Sequence, residues 1–169
     1  ETWDALGFSS PDFAVLSGSS NSWVALNSKC KSATSSVAAY EELQGRKADG
    51  SPDPNGTNLL DVVNYIDYLI NRHWARDWDW PQNNYRMMRN TVDSGGYKFI
   101  NWDCEAGIGI GPTDRTSTYT GVAEPYGYLK GSSEFQLDFA DRVHRFYFNN
   151  GLLTQSEVIR RYTNLAARI

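Results

Sequence analysis

The sequence lacks the features that mark nucleic-acid-binding and membrane-spanning chains. Its 16 basic residues are outnumbered by 20 acidic ones, which leaves a net charge of −4 and no basic stripe. A positively charged face is the usual footprint of a nucleic-acid partner, so that class is disfavoured. No apolar run approaches the roughly 20 residues of a membrane span, and no stretch within residues 1–169 has the pattern of a signal peptide. We therefore expect neither nucleic acid as a partner nor a membrane span.

Metal-binding residues of the soft type are also scarce. The chain has only two cysteines, Cys30 and Cys104, and two histidines, His73 and His144. A zinc site of the usual Cys/His type is therefore disfavoured. The two cysteines could form a disulfide or remain as buried thiols, and both options stay open. Each histidine lies within a helical pattern, where a structural role is favoured over catalysis.

Aromatic residues, by contrast, are abundant. They make up 14% of the chain, with 6 Trp and 10 Tyr among 169 residues. Rings of this kind can line a ligand groove, but core packing accounts for most of them. The length corresponds to a single domain, residues 1–169, that can bury a sizeable core.

The hydrophobic pattern predicts an α+β fold in which several helices pack on a small antiparallel sheet. Residues 1–21, rich in Ser and Gly, are predicted to be irregular, and 48–58 form a loop. A capping box at Thr154–Glu157 is predicted to open a last helix with Val158, Tyr162 and Leu165 facing inward. The other predicted helices cover residues 22–32, 37–47, 59–74 and 132–148, and the predicted strands cover 85–91 and 97–102.

The two predicted strands bring together polar residues that are distant in sequence. Gly95 and Gly96 are expected to supply the positive φ angles of a tight hairpin. Antiparallel pairing then places the start of the first strand beside the end of the second. Asp79 and Asn84 precede the first strand, and Asp103 follows the second. We therefore predict that these three residues share one site.

The residue types at this site suit a divalent cation. Carboxylate and amide oxygens at the ends of rigid elements can converge on one ion. Asp79 and Asn84 are also five residues apart, as in the catalytic loop of protein kinases, although Asp and Asn in loops are often only turn formers. Asp67, in the preceding helix, either faces solvent or orients the following loop.

Three glycines alternate after the second strand, at Gly107, Gly109 and Gly111. Their spacing matches neither a Walker loop nor G-x-G-x-x-G, so a phosphate cradle is the less favoured interpretation. We expect them instead to let the chain pass close beneath the site. Residues 113–120 are polar and are predicted to form a loop in which a substrate could lie.

Several short sequence motifs in this region resemble those of a known family. N-Y-I-D-Y-L-I at 64–70, D-W-P-x-N-N-Y at 79–85 and K-F-x-x-W-D-x-E at 98–105 resemble motifs of the CotH family of spore-coat-type protein kinases. The resemblance continues through E-F-x-x-x-F-A-D-R at 134–142 and G-L-L-T at 151–154. It covers most of the chain from about Leu59 onward and is fainter at 2–6.

The resemblance implies phosphoryl transfer from ATP to a protein hydroxyl, with Mg²⁺ or Mn²⁺ as cofactor and Ca²⁺ as a conceivable structural ion. It implies that Asp79 is the catalytic carboxylate and that Asn84, or Asn83, helps to hold a metal. Asp103 would be the main metal ligand and would contact the nucleotide–metal complex, and Glu105 would add a carboxylate. The expected location is secreted or at the bacterial cell surface.

The resemblance is incomplete in the part of the domain that should clamp ATP. No Gly-rich loop and strand lysine precede the first acidic cluster, because Lys29, Lys31 and Lys47 lie in helical or loop segments. We therefore expect the chain to be the C-terminal lobe of a CotH-type domain that lacks its N-terminal lobe. Arg76–Asp77 also departs from the family pattern. The partners of such a C-terminal lobe would be a protein substrate, another extracellular protein or the missing N-terminal lobe.

Two other functions remain open. The first is a non-catalytic extracellular binding or scaffold module that keeps the fold and a structural cation. The second is a glycoside hydrolase that uses Asp79 and Glu105 as its carboxylate pair, with tryptophans as sugar platforms.

Overall fold

The computed structural model describes residues 2–9, 12–93, 95–104, 107 and 114–169. Within these residues, strands and helices confirm the predicted α+β class. They follow one another as β1 (Trp3–Ser9), β2 (Asp12–Ser17), α1 (Asn21–Ala33), α2 (Val37–Leu43), α3 (Val62–Ala75), β3 (Tyr85–Asn90), β4 (Lys98–Asn101), a 3₁₀ turn (Gly121–Ala123), α4 (Glu124–Leu129), α5 (Ser133–Tyr147) and α6 (Gln155–Ala166).

The four strands form one antiparallel sheet in the order β2-β1-β3-β4. The prediction that residues 1–21 are irregular is therefore wrong, since both β1 and β2 lie there. β1 is a central strand, and its pairing with β3 brings Trp3 opposite Asn90. A Ser- and Gly-rich pattern carries no sign of a partner so distant in sequence, and strand formation depends strongly on such partners.

Helix α3 leads into the loop that carries Asp79 and begins later than predicted. The Asp61 carboxylate accepts a hydrogen bond from the Asn64 N–H at 3.0 Å and caps the helix. Leu59 and Leu60 precede the helix and pair with Tyr97, whose N–H donates to the Leu59 carbonyl at 2.9 Å. The start of α3 is thus joined to the strand that leads toward the site.

The loop between β3 and β4 is longer than a tight hairpin, and the prediction for its glycines is wrong. Neither Gly95 nor Gly96 has a positive φ. Gly96 is instead required by close packing, because a Cβ there would lie 2.3 Å from the Asp61 nitrogen and from the Leu60 carbonyl carbon. The loop therefore packs directly against the start of α3.

The free edge of β4 is covered by a side chain of α3. The Phe99 N–H donates to Asn64 Oδ1 at 2.6 Å, and Asn64 Nδ2 donates back to the Phe99 carbonyl at 3.4 Å. The rings of Tyr65 and Tyr68 also pack on Phe99, with centroids 4.5 and 5.5 Å away. These contacts fix α3 relative to the strand that ends at the site.

Asp67 neither faces open solvent nor orients the loop that follows α3. Its carboxylate forms a two-pronged ion pair with Arg142 of α5, in which Arg142 Nε donates to Oδ1 at 2.6 Å and Nη2 donates to Oδ2. Asp67 therefore fixes α5 against α3. The inward face of α5 consists of Phe135, which is buried, and of Phe139, Val143 and Phe146, which are partly buried against the core.

Helix α6 differs from the prediction in its packing. None of its residues is buried, and Tyr162 and Leu165 are 74% and 61% exposed rather than facing inward. The predicted capping box does not form, because Thr154 Oγ1 donates to the Gly151 carbonyl and Glu157 pairs with Arg160. The amphipathic pattern of this helix correctly predicts a helix but not a partner.

Cys30 lies in the core and is not joined to Cys104. Burial raises the pKa of the Cys30 thiol above its ordinary value. Among the described residues, no helix has both the length and the hydrophobicity needed to span a bilayer.

Candidate functional site

Asp79, Asn83 and Asn84 lie on the loop between α3 and β3, and Asp103 follows β4. Arg76 ends α3 in the left-handed conformation, with φ of 55°. Trp80 is fully buried and anchors the loop, since its indole Nε1 donates to the Tyr68 hydroxyl at 2.8 Å. The peptide bond between Trp80 and Pro81 is cis. A buried ring thus holds the loop, while the neighbouring Asp79 is only partly buried.

The carboxylate of Asp79 is held by the two asparagines that end the loop. Asn83 Nδ2 donates to Asp79 Oδ1 at 2.5 Å, and Asn84 Nδ2 donates to Asp79 Oδ2 at 3.3 Å. The loop backbone closes in the same direction, because the Asn83 N–H donates to the Asp79 carbonyl at 2.9 Å. The five-residue spacing therefore places Asp79 and Asn84 within contact of each other.

The same amide of Asn84 reaches across to the end of β4. Asn84 Nδ2 donates to the backbone carbonyl of Asp103 at 2.9 Å. The antiparallel register pairs Tyr85 with Asn101, which sets the residues just outside each strand side by side. The structure thus brings Asp79, Asn84 and Asp103 together, as the hairpin argument predicts, and places Asn83 beside them.

Asn84 and Asp103 share an uncommon backbone conformation. Their φ angles are 56° and 54°, in the left-handed region that most residues with a side chain avoid. Asn and Asp tolerate this region better than other residue types. Non-glycine residues held there are often found at functional sites, where surrounding contacts impose the conformation. Both are residues that the sequence assigns to metal binding.

The donor set fits a hard divalent cation. The two N–H groups of Asn84 are directed at Asp79 and Asp103, which leaves its side-chain carbonyl oxygen as a ligand. The carboxylate of Asp103 is exposed. Magnesium and manganese prefer such carboxylate and amide oxygens.

The remaining members of the predicted site cannot be placed. Glu105, Gly109 and Gly111 lie outside the described residues. Among those that are described, no three acidic, histidine or cysteine side chains converge as a metal-binding group. The predicted ligand set is the carboxylates of Asp103 and Glu105 with the amide of Asn84, and of these Asp103 and Asn84 are among the described residues. The glycoside-hydrolase alternative also depends on Glu105.

Gly107 is described, and it passes close to the end of α3. A Cβ at this position would lie 2.7 Å from the carbonyl oxygen of Ala75. For Gly107, this close approach agrees with the interpretation that a glycine lets the chain pass beneath the site. Farther along, residues 114–120 form no helix or strand, and Arg115 Nε donates to the Asp77 carbonyl at 3.2 Å. This segment therefore touches the loop that carries Asp79.

Two tryptophans flank the acidic residues and are half exposed. Trp78 and Trp102 have 50% and 52% of their surface accessible. The guanidinium of Arg86 lies 5.4 Å from the centre of a Trp102 ring. Unlike Trp80, these rings are available to contact a ligand or a partner near the site.

Sequence reasoning missed Arg72 and the role of Asp77. Both side chains are fully buried and form an ion pair at 2.5 Å beneath the loop. The sequence did indicate a buried position for Arg72, since it lies three residues after Leu69 on the apolar face of α3. An arginine in such a position requires a buried partner. The identity of its partners depends on the tertiary structure and could not be read from the helix.

Comparison with known proteins identifies the family of the chain. No curated protein and no solved structure matches the chain significantly. The family model described as CotH kinase protein matches residues 38–168, which include α3, the loop, both strands that frame the site and the helices that follow. With most of its length matched in this way, the chain belongs to the CotH kinase protein family, and its fold is kinase-like.

Proposed function

We propose that this chain is a phosphotransferase lobe that transfers a phosphoryl group from ATP to a protein hydroxyl, with Mg²⁺ or Mn²⁺ as cofactor. The observation that carries the proposal is the side-chain amide of Asn84. It bridges the Asp79 carboxylate at 3.3 Å and the Asp103 backbone at 2.9 Å. Phosphoryl transfer depends mainly on positioning and on charge neutralisation, so a preset group of oxygen ligands beside a carboxylate is what the reaction requires.

Asp79 would orient the substrate hydroxyl and accept its proton. The 2.5 Å hydrogen bond from Asn83 fixes one carboxylate oxygen. Among the described residues, the other oxygen is contacted only by the long hydrogen bond from Asn84, and it is available to the hydroxyl. The partial burial of Asp79 leaves it reachable from outside. Asn83 thus aims the carboxylate, and Asn84 links it to the metal-binding side.

Asn84 and Asp103 would hold the cation, with Glu105 as a further ligand and Asn83 close to the nucleotide phosphates. When bound, the cation would neutralise charge on the transferred phosphoryl group. Asn84 and Asp103 both have a left-handed backbone, and both lie just beyond the ends of the paired strands. A structural Ca²⁺ would use the same oxygen ligands but with a larger coordination shell.

The substrate would be a protein, and the location secreted or at the bacterial cell surface. Half-exposed Trp78 and Trp102 beside the site would contact such a substrate. The spore-coat association of the CotH family supports the location. An N-terminal lobe, supplied by further chain or by a partner, would complete the clamp on ATP.

The second candidate is a non-catalytic binding or scaffold module with a structural cation. It is favoured by the distribution of lysines, because neither β1 nor β2 carries one. Lys29 lies on α1, where it pairs with Glu42 at 2.7 Å. In the usual kinase arrangement, the lysine that clamps the phosphates of ATP lies on a strand that precedes the catalytic loop, and Lys98 of β4 follows it.

Thermal unfolding separates the two candidates. The chain is heated with Mg²⁺ or Mn²⁺, with and without ATP, beside Asp103→Asn and a control, Asp141→Asn, on the exposed side of α5. Ligand at a hundred times its Kd should stabilise the folded state by about 2.7 kcal/mol. We expect stabilisation to require both metal and ATP, to disappear in Asp103→Asn and to persist in Asp141→Asn.

The other outcomes are equally informative. Stabilisation by the cation alone, unaffected by ATP, would favour the scaffold candidate. The absence of any shift with metal or ATP would contradict the proposed nucleotide and metal use for this chain and leave only the family and the fold.

A further inference from the structure

A single buried guanidinium lies beneath the candidate site. Arg72 is in the last turn of α3, and no part of it is accessible to solvent. Its Nη1 donates to Asp77 Oδ2 at 2.5 Å, and its Nη2 donates to two backbone carbonyls, Asn84 at 2.5 Å and Trp102 at 2.7 Å. One side chain therefore joins α3, the loop, the start of β3 and the end of β4.

The positions of these carbonyls matter more than their number. The Asn84 carbonyl belongs to one of the two site residues with a left-handed backbone, and the Trp102 carbonyl belongs to the peptide that immediately precedes the other, Asp103. Fixing a carbonyl fixes its whole peptide plane, and with it one backbone dihedral on each side. Arg72 thus restrains the backbone at Asn84 and at Asp103 at the same time.

Asp77 extends the arrangement to the third site residue. Its Oδ2 receives Arg72, while its Oδ1 accepts the N–H of Asp79 at 3.2 Å. Its backbone carbonyl accepts from Arg115 at 3.2 Å. The carboxylate therefore turns the loop so that Asp79 emerges toward Asn83 and Asn84.

The shape of the guanidinium explains why arginine, and not lysine, joins these segments. The guanidinium is planar and its N–H groups point in fixed directions, so it can donate hydrogen bonds to a carboxylate and to two carbonyls at once. The ammonium of lysine is instead a compact point charge. Ion pairs as deeply buried as this one often contribute little net stability compared with an apolar replacement. The presence of the buried Arg72–Asp77 pair is therefore better explained by the backbone geometry that it imposes than by its contribution to stability.

We propose that Arg72, together with Asp77, is the positioning pair that holds Asp79, Asn84 and Asp103 in their metal-binding arrangement. Neither residue touches substrate or metal, and both act through the backbone. The part of this inference that concerns metal binding rests on the proposed function. The part that concerns the geometry of Asn84 and Asp103 does not.

The test compares Arg72→Lys with a variant of the same helix that leaves the site untouched. Asp67→Asn breaks the ion pair with Arg142 and so weakens the packing of α3 on α5. Two quantities are measured by NMR and titration in the wild type and both variants. They are hydrogen exchange at the Asp79 and Asn83 amides without metal, and the Kd for Mn²⁺ alone.

We expect Arg72→Lys to raise loop exchange at least tenfold and to raise the Mn²⁺ Kd at least tenfold. Asp67→Asn should change either quantity by no more than about twofold at temperatures where both variants are equally folded. If Arg72→Lys matches Asp67→Asn in loop exchange, the positioning role is overturned.

Two further outcomes remain decisive. If the wild type does not bind Mn²⁺, the proposed function loses its metal site, but loop exchange still decides whether Arg72 positions the loop. If Arg72→Lys does not fold, Asp77→Asn is used, because it keeps Arg72 and removes only the charge on its partner. Asp77→Asn should raise exchange at Asp79 more than at Tyr65, and equal effects at both would overturn the proposal.

Discussion

At the scale of single residues, His73 has an environment that makes stability depend on pH. Its ring lies between Trp80 and Tyr126, with centroids 5.7 and 5.5 Å away, and its buried Nε2 has no hydrogen-bond partner among the described residues. Burial lowers the pKa of His73 from 6.5 to about 4, although the carboxylate of Asp114 acts in the opposite direction. The folded protein therefore keeps this ring neutral in mildly acidic solution.

We predict that His73 makes the chain less stable as the pH falls from about 6.5 to 4. In this window the unfolded chain binds a proton at the ring and the folded protein does not, so acid favours unfolding. The loss approaches about 1.4 kcal/mol per pH unit, or about 2–3 kcal/mol over the window. Urea unfolding of the wild type and His73→Phe at several pH values measures it.

The expected result is that the unfolding free energy of the wild type falls relative to that of His73→Phe as the pH decreases. His144→Phe, at the exposed histidine of α5, serves as the control and should follow the wild type. Parallel curves for the wild type and His73→Phe between pH 6.5 and 4 would contradict the prediction.

The residues of the candidate site were predictable to different degrees. Asp79, Asn84 and Asp103 could be brought together from the sequence, because antiparallel pairing fixes which strand ends meet. Arg72 could not be assigned, because its three partners come from separate segments that converge only in the folded chain. Asp67 was visible as a polar residue apart from the apolar stripe of its helix, but its partner Arg142 was not.

At the scale of secondary structure elements, two adjacent glycines in the β3–β4 loop have opposite environments. A Cβ at Gly96 would lie 2.3 Å from backbone atoms of Leu60 and Asp61, whereas a Cβ at Gly95 would meet only the Asp93 carbonyl oxygen, at 3.9 Å. Neither glycine has a positive φ. The contrast between them therefore isolates packing from backbone conformation.

We predict that Gly96→Ala destabilises the folded chain by about 1–3 kcal/mol, because the backbone at the start of α3 has to move. Gly95→Ala should be neutral or stabilise it by up to about 1 kcal/mol, since alanine restricts the unfolded chain. Urea unfolding of both variants measures the difference. Equal stabilities would show that the loop does not pack on α3 as described.

The elements themselves were predictable where their stabilisation is local. α3 and α5 follow from apolar stripes and from caps at Asp61 and Ser132. β1 and β2 were missed because β1 depends on β3, which is distant in sequence, and because Ser and Gly conceal the alternation of Asp4 and Leu6 toward the interior. Local pattern thus identified the helices better than the sheet order.

At the scale of the whole molecule, stability is concentrated in the part that carries the site. The buried core is shared by the sheet, α1 to α4 and the first turns of α5, and it includes Leu6, Tyr65, Phe99 and Phe135. Helix α6 contributes no buried residue. A helix of 12 residues without tertiary packing is marginal in water, so α6 depends on short-range contacts such as the Glu157–Arg160 pair.

We predict that removing residues 155–169 leaves the rest of the chain folded, with an unfolding free energy within about 0.5 kcal/mol of the original. Leu153, which packs against the core, is retained in this variant. Phe135→Ala, at a buried position of α5, should instead cost about 3–5 kcal/mol. Because about 1 kcal/mol corresponds to 2–4 °C in Tm for a domain of this size, calorimetry separates the two variants clearly.

Hydrogen exchange on the intact chain gives an independent measure of the same division. Amides of α6 should exchange with little protection, whereas those of α3 and β3 should exchange only on global unfolding. A fall in Tm on truncation as large as that of Phe135→Ala would contradict this division, as would strong protection in α6. If the division holds, the metal response of the truncated chain should equal that of the intact one, because the elements that position Asp79, Asn84 and Asp103 belong to the stable part.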